Sequence, residues 1–337
     1  MKKLNILVAG VLLSAASLSN AGAIISDGNV KLGVDNYGNL NISGSVADVA
    51  GITDTGMRYL TDGKEYEATS HGCACEGWGV GITDSGLVGY ANNSTGIGGL
   101  TVLGFSSTAT TAQSVVSVGG QLKVTHSFAL ATETNNLYKV TVKIENTSGV
   151  DLSDLVYRRT FDWDTSPTPF NEYVTIGGTA GAANVTKATD NGFANSNPFA
   201  SNDSILSGAV GDFTAKGPND IGANFDFNFG KLVKDGVFSF NIFYGAADNL
   251  VDAMNALGEV GAEVYSLGWS GLDANQDGFA DTSGAATPTF IFGFDGVGGV
   301  AVIDPTPTSV PEPSSILLLG LGLLGLGATR RRLNKSK

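Results

Sequence analysis

The sequence predicts an all-β protein: an antiparallel β sandwich, built as one large unit or in two parts, with one short helix. Three observations predict it. Several runs alternate apolar and polar residues with a period of two, polar Gly/Asn/Asp turns separate them, and no repeat of fixed period is present. Such alternation gives strands with one buried face, and mostly local connections favour hairpins over parallel crossovers.

In chain order, Val30 to Ile42 reads as two short strands around a turn at Asp35 to Gly38, where Asp, Asn and Gly supply the backbone freedom a hairpin needs. A glycine-rich stretch follows. From Leu122 the signal strengthens: Leu122, Val124, His126, Phe128 and Leu130 share one face, and Tyr138, Val140, Val142 and Ile144 share another after the polar turn Thr132 to Asn136. These predict an antiparallel hairpin. His126, inside an apolar face, is expected to be a hydrogen-bonded core or edge residue rather than a ligand.

Leu155 to Asp164 places Leu155, Tyr157, Arg159, Phe161 and Trp163 on one face and Arg158, Asp162 and Asp164 on the other, and Glu172 to Ile176 reads as a short strand. Residues 177–220 show little periodicity and are expected to be loops and the place for a subdomain join. Phe225, Phe227 and Phe229 then face Phe238, Phe240, Ile242 and Tyr244 across Lys234–Gly236, which predicts another hairpin. Ala246 to Leu257 is the one helical pattern, with Ala247, Leu250, Val251, Met254 and Leu257 on one face. Glu263 to Trp269 and Thr287 to Phe294 return to strand.

The two ends read differently from this body. Lys2 and Lys3 precede an apolar run from Leu4 to Leu18, and Ala21-Gly22-Ala23 has the small-residue pattern that signal peptidase cuts. Residues 1–23 are therefore expected to be a signal peptide. At the other end, Pro311, Glu312 and Pro313 precede a fourteen-residue apolar run, Ile316 to Thr329, and then Arg330, Arg331 and Arg332. That run is short for a permanent span, which takes about 20 residues, and the arginines hold their end on the cytoplasmic side.

Triplet, apolar run and arginines in this order resemble the PEP-CTERM sorting signal of Gram-negative bacteria. The resemblance implies recognition of Pro311, Glu312 and Pro313 by an exosortase, a membrane segment at 316–329, and retention by Arg330, Arg331 and Arg332. It also implies a transient stay in the inner membrane, a cell-surface or extracellular destination, and association with exopolysaccharide. The stretches Tyr157 to Gly178 and Phe243 to Gly268 are similar to those of exported bacterial passenger proteins, a likeness that brings no activity with it. The expected layout is a signal peptide at 1–23, a β-rich passenger at 24–303, a Pro/Thr spacer at 304–309 and the sorting signal at 310–332.

The chain has 337 residues and a net charge of −13. Of its 19 basic and 32 acidic residues, seven basic ones (Lys2, Lys3, Arg330, Arg331, Arg332, Lys335, Lys337) and Glu312 belong to the ends, which leaves a passenger of net −19. That disfavours nucleic acid and anionic lipid as partners and favours cations. Neither a Gly-x-Ser-x-Gly elbow, a His-Glu-x-x-His pair nor a phosphate-binding glycine loop occurs.

Three groups of residues are candidate sites. Asp273, Asn275, Asp277 and Asp281 stand at the first, third, fifth and ninth positions of a loop with Gly278 at the sixth, so their oxygens and the Phe279 carbonyl could surround Ca2+. The twelfth position is Gly284 rather than Glu, and an acidic surface turn is the competing reading. Cys73 and Cys75, the only cysteines, are expected to form a disulfide in an exported chain, with free thiols or a metal site including His71 as alternatives. The third group is Tyr157, Arg158, Asp162, Trp163, Asp164 and Glu172. It reads either as a ligand site, with aromatic platforms and carboxylate acceptors for sugar hydroxyls, or as a structural ion-pair network with Arg158 and Arg159. The sequence thus points to an exported, sorted surface or matrix β protein with a non-catalytic binding or structural role. A secreted carbohydrate-active enzyme using paired carboxylates is the alternative.

Overall fold

The computed structural model describes residues 22–302. Most of the expected signal peptide, the Pro/Thr spacer and the sorting segment, with Pro311, Glu312, Pro313 and Arg330 to Arg332, lie outside the described residues. The first half of the body holds β1 (Ala23–Ser26), β2 (Val30–Val34), β3 (Ile42–Ser43), β4 (Asp54–Thr55), β5 (Met57–Thr61), β6 (Lys64–Glu67) and β7 (Glu76–Ile82). Next come β8 (Leu87–Asn92), β9 (Gly96–Gly98), β10 (Leu100–Ser107), β11 (Ala112–Val118), β12 (Leu122–Leu130) and β13 (Leu137–Asn146). The second half holds β14 (Leu155–Asp162), β15 (Glu172–Gly177), β16 (Val185–Thr189), β17 (Phe213–Asn219), β18 (Gly222–Asn228) and β19 (Val237–Ala247). Helix α1 (Leu250–Glu259), β20 (Val264–Ser270) and β21 (Thr289–Asp295) complete it.

These strands form an all-antiparallel sandwich. A nine-stranded sheet, ordered β10-β11-β12-β13-β19-β21-β20-β15-β17, packs on a six-stranded sheet, ordered β16-β18-β14-β7-β8-β9. Aromatic side chains fill the space between: Tyr157 meets Phe240 edge-on at 5.0 Å, and Phe225 meets Phe294 at 5.1 Å. A four-stranded sheet, β1-β2-β5-β6, shares the same apolar core through buried Leu32 and Met57. Each large apolar side chain so enclosed contributes about 1.5–3 kcal/mol, which is why the aromatic alternation dictates the layers.

The predicted β12–β13 hairpin forms, with Val124 opposite Ile144 and His126 opposite Val142. The predicted hairpin of β18 and β19 does not. β18 pairs with β14 and β16 in one sheet, whereas β19 pairs with β13 and β21 in the other. Their phenylalanines do answer one another, but through the core: Phe229 lies 4.1 Å from Phe238 and 5.2 Å from Phe240. Two alternating apolar faces meet equally well across a sandwich as along a sheet, so the pattern alone does not distinguish the two arrangements.

The helix also differs from its sequence reading. Ala246 and Ala247 remain in β19, opposite Phe290 and Thr289, and the helix starts after Asn249, whose side chain caps the Asp252 N–H at 3.0 Å. Its buried face is Ala253, Ala256 and Leu257, packed over Phe243 and Ile291 on the outside of the nine-stranded sheet, while Val251 is exposed. Residues 177–220, expected to be loops, contain β16 and β17 as well as a long segment that lies over the six-stranded sheet.

That segment explains a strand the sequence reading passed over. β7 alternates Gly77, Gly79 and Gly81 with Trp78, Val80 and Ile82, and is buried on both faces. A Cβ on Gly79 would stand 2.0 Å from the Ser196 carbonyl oxygen, and one on Gly81 would stand 2.7 Å from the Phe199 ring. The glycine face is where the 195–200 backbone approaches the sheet.

Candidate functional site

Strand β14 positions the charged residues that sequence reading singled out, and its two faces treat them differently. Inward, Tyr157, Arg159 and Phe161 point into the core. Arg159 is wholly buried and forms an ion pair with Glu76, which lies one strand away on β7 and is equally buried. Glu76 also accepts from the Leu40 N–H at 2.5 Å and the Tyr244 hydroxyl at 3.2 Å, and the guanidinium stands 5.5 Å from the centre of the Tyr244 ring. Burial is the largest influence and works against the Arg159 charge, but Glu76, Tyr244 and Tyr157 together outweigh it and raise the guanidinium pKa. Burial pushes the Glu76 carboxyl up, and Arg159 is the main influence opposing it.

Outward, Arg158 is buried beneath the 195–200 segment. It meets Asp226, directly opposite on β18, with contacts of 2.5 and 2.9 Å, and donates to the carbonyls of Asn195, Asn197 and Ala200 at 2.7–3.0 Å. The five-donor guanidinium fork is thereby used to hold a loop against the glycine face of β7. Neither arginine pairs with Asp162, Asp164 or Glu172, so the ion-pair network expected of those residues is replaced by Arg159–Glu76 and Arg158–Asp226.

The three carboxylates gather elsewhere. Beyond Arg158 on the outward face, β14 ends at Asp162; the chain then crosses through Asp164 to β15, which begins with Glu172. Asp220, in the turn between β17 and β18, completes the group. Oxygens of Asp162, Asp164 and Asp220 all lie within 4.8 Å of one another. Asp162, Asp164 and Glu172 are at most 1% exposed, and Asp220 is half-buried.

Hydrogen bonding leaves this cluster largely unsatisfied. Both carboxylate oxygens of Asp164 lack a partner in standard hydrogen-bond geometry, with only the Phe170 N–H near enough to favour the charge, and Asp162 Oδ1, Glu172 Oε2 and Asp220 Oδ1 lack one as well. Glu172 Oε1 accepts from the Ile221 N–H at 2.9 Å. Asp162 Oδ2 lies 3.4 Å from Cys73 Sγ, but a disulfide sulfur carries no proton to donate. Burial pushes every member up, and repulsion from neighbouring carboxylates adds to it for Asp162, Asp164 and Glu172. Asp162 rises well above the ordinary carboxylate range through burial and the Asp220 charge, and burial with the Asp162 charge pushes Asp164 up to about 9. Burial pushes Glu172 up to about 10 and raises Asp220 as well.

The aromatic members of the expected ligand site are placed where no ligand reaches. Tyr157 is fully buried with its hydroxyl 3.2 Å from His126 Nε2, and Trp163 is fully buried with its indole N–H donating to Ser266 Oγ at 3.0 Å. Neither offers a stacking platform, because each inward position of β14 and its extension is enclosed by the opposite sheet. His126 is enclosed beside them, held neutral by burial and the Arg159 charge.

Cys73 and Cys75 are joined as a disulfide, whose loop lies against the carboxylate cluster. His71, the residue offered with them as a metal ligand, instead has its Nδ1 3.0 Å from the Asp164 carbonyl and its Nε2 3.4 Å from Asp48 Oδ2. In the 273–281 loop the side chains close upon the backbone. Asp273 is buried, Oδ1 accepting from the Asp277 N–H at 3.1 Å and Oδ2 from the Gly278 N–H and Thr287 hydroxyl at 3.0 Å. Asn275 and Asp277 bond to each other, and Asp281 accepts from the Ala274 N–H. Asn275, Asp277 and Asp281 are exposed, as is Phe279.

An open groove of about 360 Å³ lies between the small sheet and α1, lined by Asn29, Asn135, Asn136, Asp248, Asp252 and Asn255. Tyr59, which also lines it, and Thr61 donate to Asp248 at 3.2 and 2.9 Å.

At the other end of the sequence, a family model for the PEP-CTERM protein-sorting motif matches residues 309–332. The chain carries a PEP-CTERM protein-sorting motif. The PEP-CTERM segment marks an exported protein that passes by way of the membrane for sorting and is processed by an exosortase, as the triplet, apolar run and arginines implied. No curated protein matches the chain.

In the body of this PEP-CTERM protein, sequence reasoning missed Asp220, Glu76 and Asp226. Glu76 and Asp226 had a usable signal, since an arginine in an apolar run requires a carboxylate across the strand. Asp220 had none. Its membership depends on where the β17–β18 turn meets the end of β14.

Proposed function

We propose that this exported, exosortase-sorted protein serves at the cell surface or in the extracellular matrix as a non-catalytic binding or structural component associated with exopolysaccharide. The observation that carries the reading is the groove between the small sheet and α1. Its amide and carboxylate side chains are the donors and acceptors that pair with sugar hydroxyls. The sandwich behind it supplies a rigid frame, because α1 is packed on β19 and β21 through Ala253, Ala256 and Leu257.

The alternative, a carbohydrate-active enzyme, needs a pair of carboxylates flanking a bound sugar. Asp162, Asp164 and Glu172 are enclosed, which weighs against that use of them. A glycan-array screen of the passenger, residues 24–309, tests the reading. Binding to at least one polysaccharide, weakened about tenfold or more by combining Asn135→Ala with Asp252→Ala, is the expected result. Binding indifferent to both changes, failure to bind any glycan, or release of shortened sugars would overturn it.

A further inference from the structure

The carboxylate cluster at the end of β14 is chemically incomplete as the chain leaves it. Asp162 and Asp164 are at most 1% exposed, yet three of their four oxygens have no hydrogen-bond partner and the fourth faces a sulfur without a proton. Among the described residues the nearby cations are committed elsewhere, Arg159 to Glu76 and Arg158 to Asp226 and three carbonyls. Burying charge without a partner is costly, and a group of such side chains persists where something compensates it.

We propose that Asp162, Asp164 and Asp220, with Glu172 beside them, form a divalent-cation site that clips the two sheets together, and that calcium is its ion. The donors are all oxygen, which selects a hard cation over zinc or copper. Their mutual span, up to 4.8 Å, is that of oxygens on opposite sides of an ion held at about 2.4 Å. Calcium tolerates the irregular set that a strand end, a crossover and a turn provide, whereas magnesium demands a nearly octahedral one.

Room for the group is built into the backbone. A Cβ on Gly192 would stand 2.5 Å from Asp162 Oδ1, and one on Gly222 would stand 2.6 Å from the Gly192 Cα, so two glycines pack around this carboxylate where no side chain fits. One position along the same face, Thr160 and Asn224 stand opposite each other, buried, and their side-chain polar atoms also lack partners. Asp220 is the half-buried member of the group, and the Cys73–Cys75 loop lies against Asp162.

The site joins separate parts of the fold. Asp162 belongs to the six-stranded sheet, Glu172 to the nine-stranded sheet, and Asp220 to the turn that carries the chain between them. An ion there fixes the angle at which the sheets close, a structural role that stands whether or not the protein binds a glycan.

The test uses the full chain in detergent, stripped with chelator and then given calcium or magnesium. Its readouts are the melting temperature and the metal retained after gel filtration. Calcium at a hundredfold excess over its dissociation constant is expected to raise melting by about 5–10 °C, with one ion retained per chain and a smaller response to magnesium. Asp164→Asn is expected to abolish the response. Asp220→Asn, at the half-buried member of the group where folding is least at risk, should do the same, while Asp277→Asn in the 273–281 loop should leave it intact. No response in the unaltered chain, a response surviving both cluster substitutions, or one removed by Asp277→Asn overturns the assignment.

Discussion

On the inward face of β14, Arg159 and Glu76 are buried together and hold each other, with Leu40, Tyr244 and the Gly38 carbonyl around them. On the outward face, the same strand ends at Asp162 in a group of carboxylates with no cation from the described residues among them. Asp162, Asp164 and Glu172, like the Arg159–Glu76 pair, are closed off from solvent, and burial raises the carboxyl pKa in both centres. The difference is compensation. The inward centre finds its countercharge within the chain, so most of its cost is already met although Arg159 Nε is left without a partner; the outward centre awaits a proton or an ion, so its stability depends on conditions.

The largest effect should come from breaking the inward centre. Glu76→Gln strands the Arg159 charge in the core and is expected to destabilise the fold by about 3–5 kcal/mol in urea unfolding. Replacing Glu76 and Arg159 together with apolar residues should restore much of that loss. A double variant no better than the single one would mean that the pair is not the unit described here.

A smaller loss is expected from Arg158→Lys, which keeps a charge opposite Asp226 but gives up the fork that holds Asn195, Asn197 and Ala200. About 2 kcal/mol of loss, with faster proteolysis confined to residues 190–205, would sharpen the contrast between a paired charge and a loop clamp. Cleavage unchanged in that segment would show that the glycine face of β7 holds the loop unaided.

A third effect is spread over pH rather than concentrated in one condition. Burial pushes Asp35 up to about 7, with the nearby Glu76 charge adding to it, while the Tyr37 and Asn39 N–H groups pull the other way. Because the folded pKa lies above the unfolded one, its contribution is fully present below about pH 4 and is lost as pH rises through 7. Asp35→Asn keeps the acceptor oxygen and removes the titration. Its stability relative to the unaltered chain should rise between pH 4 and 7, by less than about 1.4 kcal/mol per pH unit; a difference flat across that window would refute the assignment.

Legibility from sequence followed the range of the interactions. The β12–β13 pairing and the strand character of Leu155 to Asp162 were readable because alternation and turn residues are local. β7 was as regular as these, but its glycines masked the alternation, since they record the approach of a distant segment rather than solvent. The β18–β19 contact was readable as an affinity of two aromatic faces and misread as a hairpin. Of the expected ligand site, Asp162, Asp164 and Glu172 do come together, while Tyr157, Trp163 and Arg158 belong to other surroundings.

By itself, the chain's order of residues settled the strand periods, the acidic character and the sorting address, because each is carried by neighbours along the backbone. Which face of β14 would find a counterion was decided only when the sheets closed. Alternation fixes the side of a strand from which a carboxylate projects; whether an arginine or three more carboxylates wait there depends on segments that meet in space.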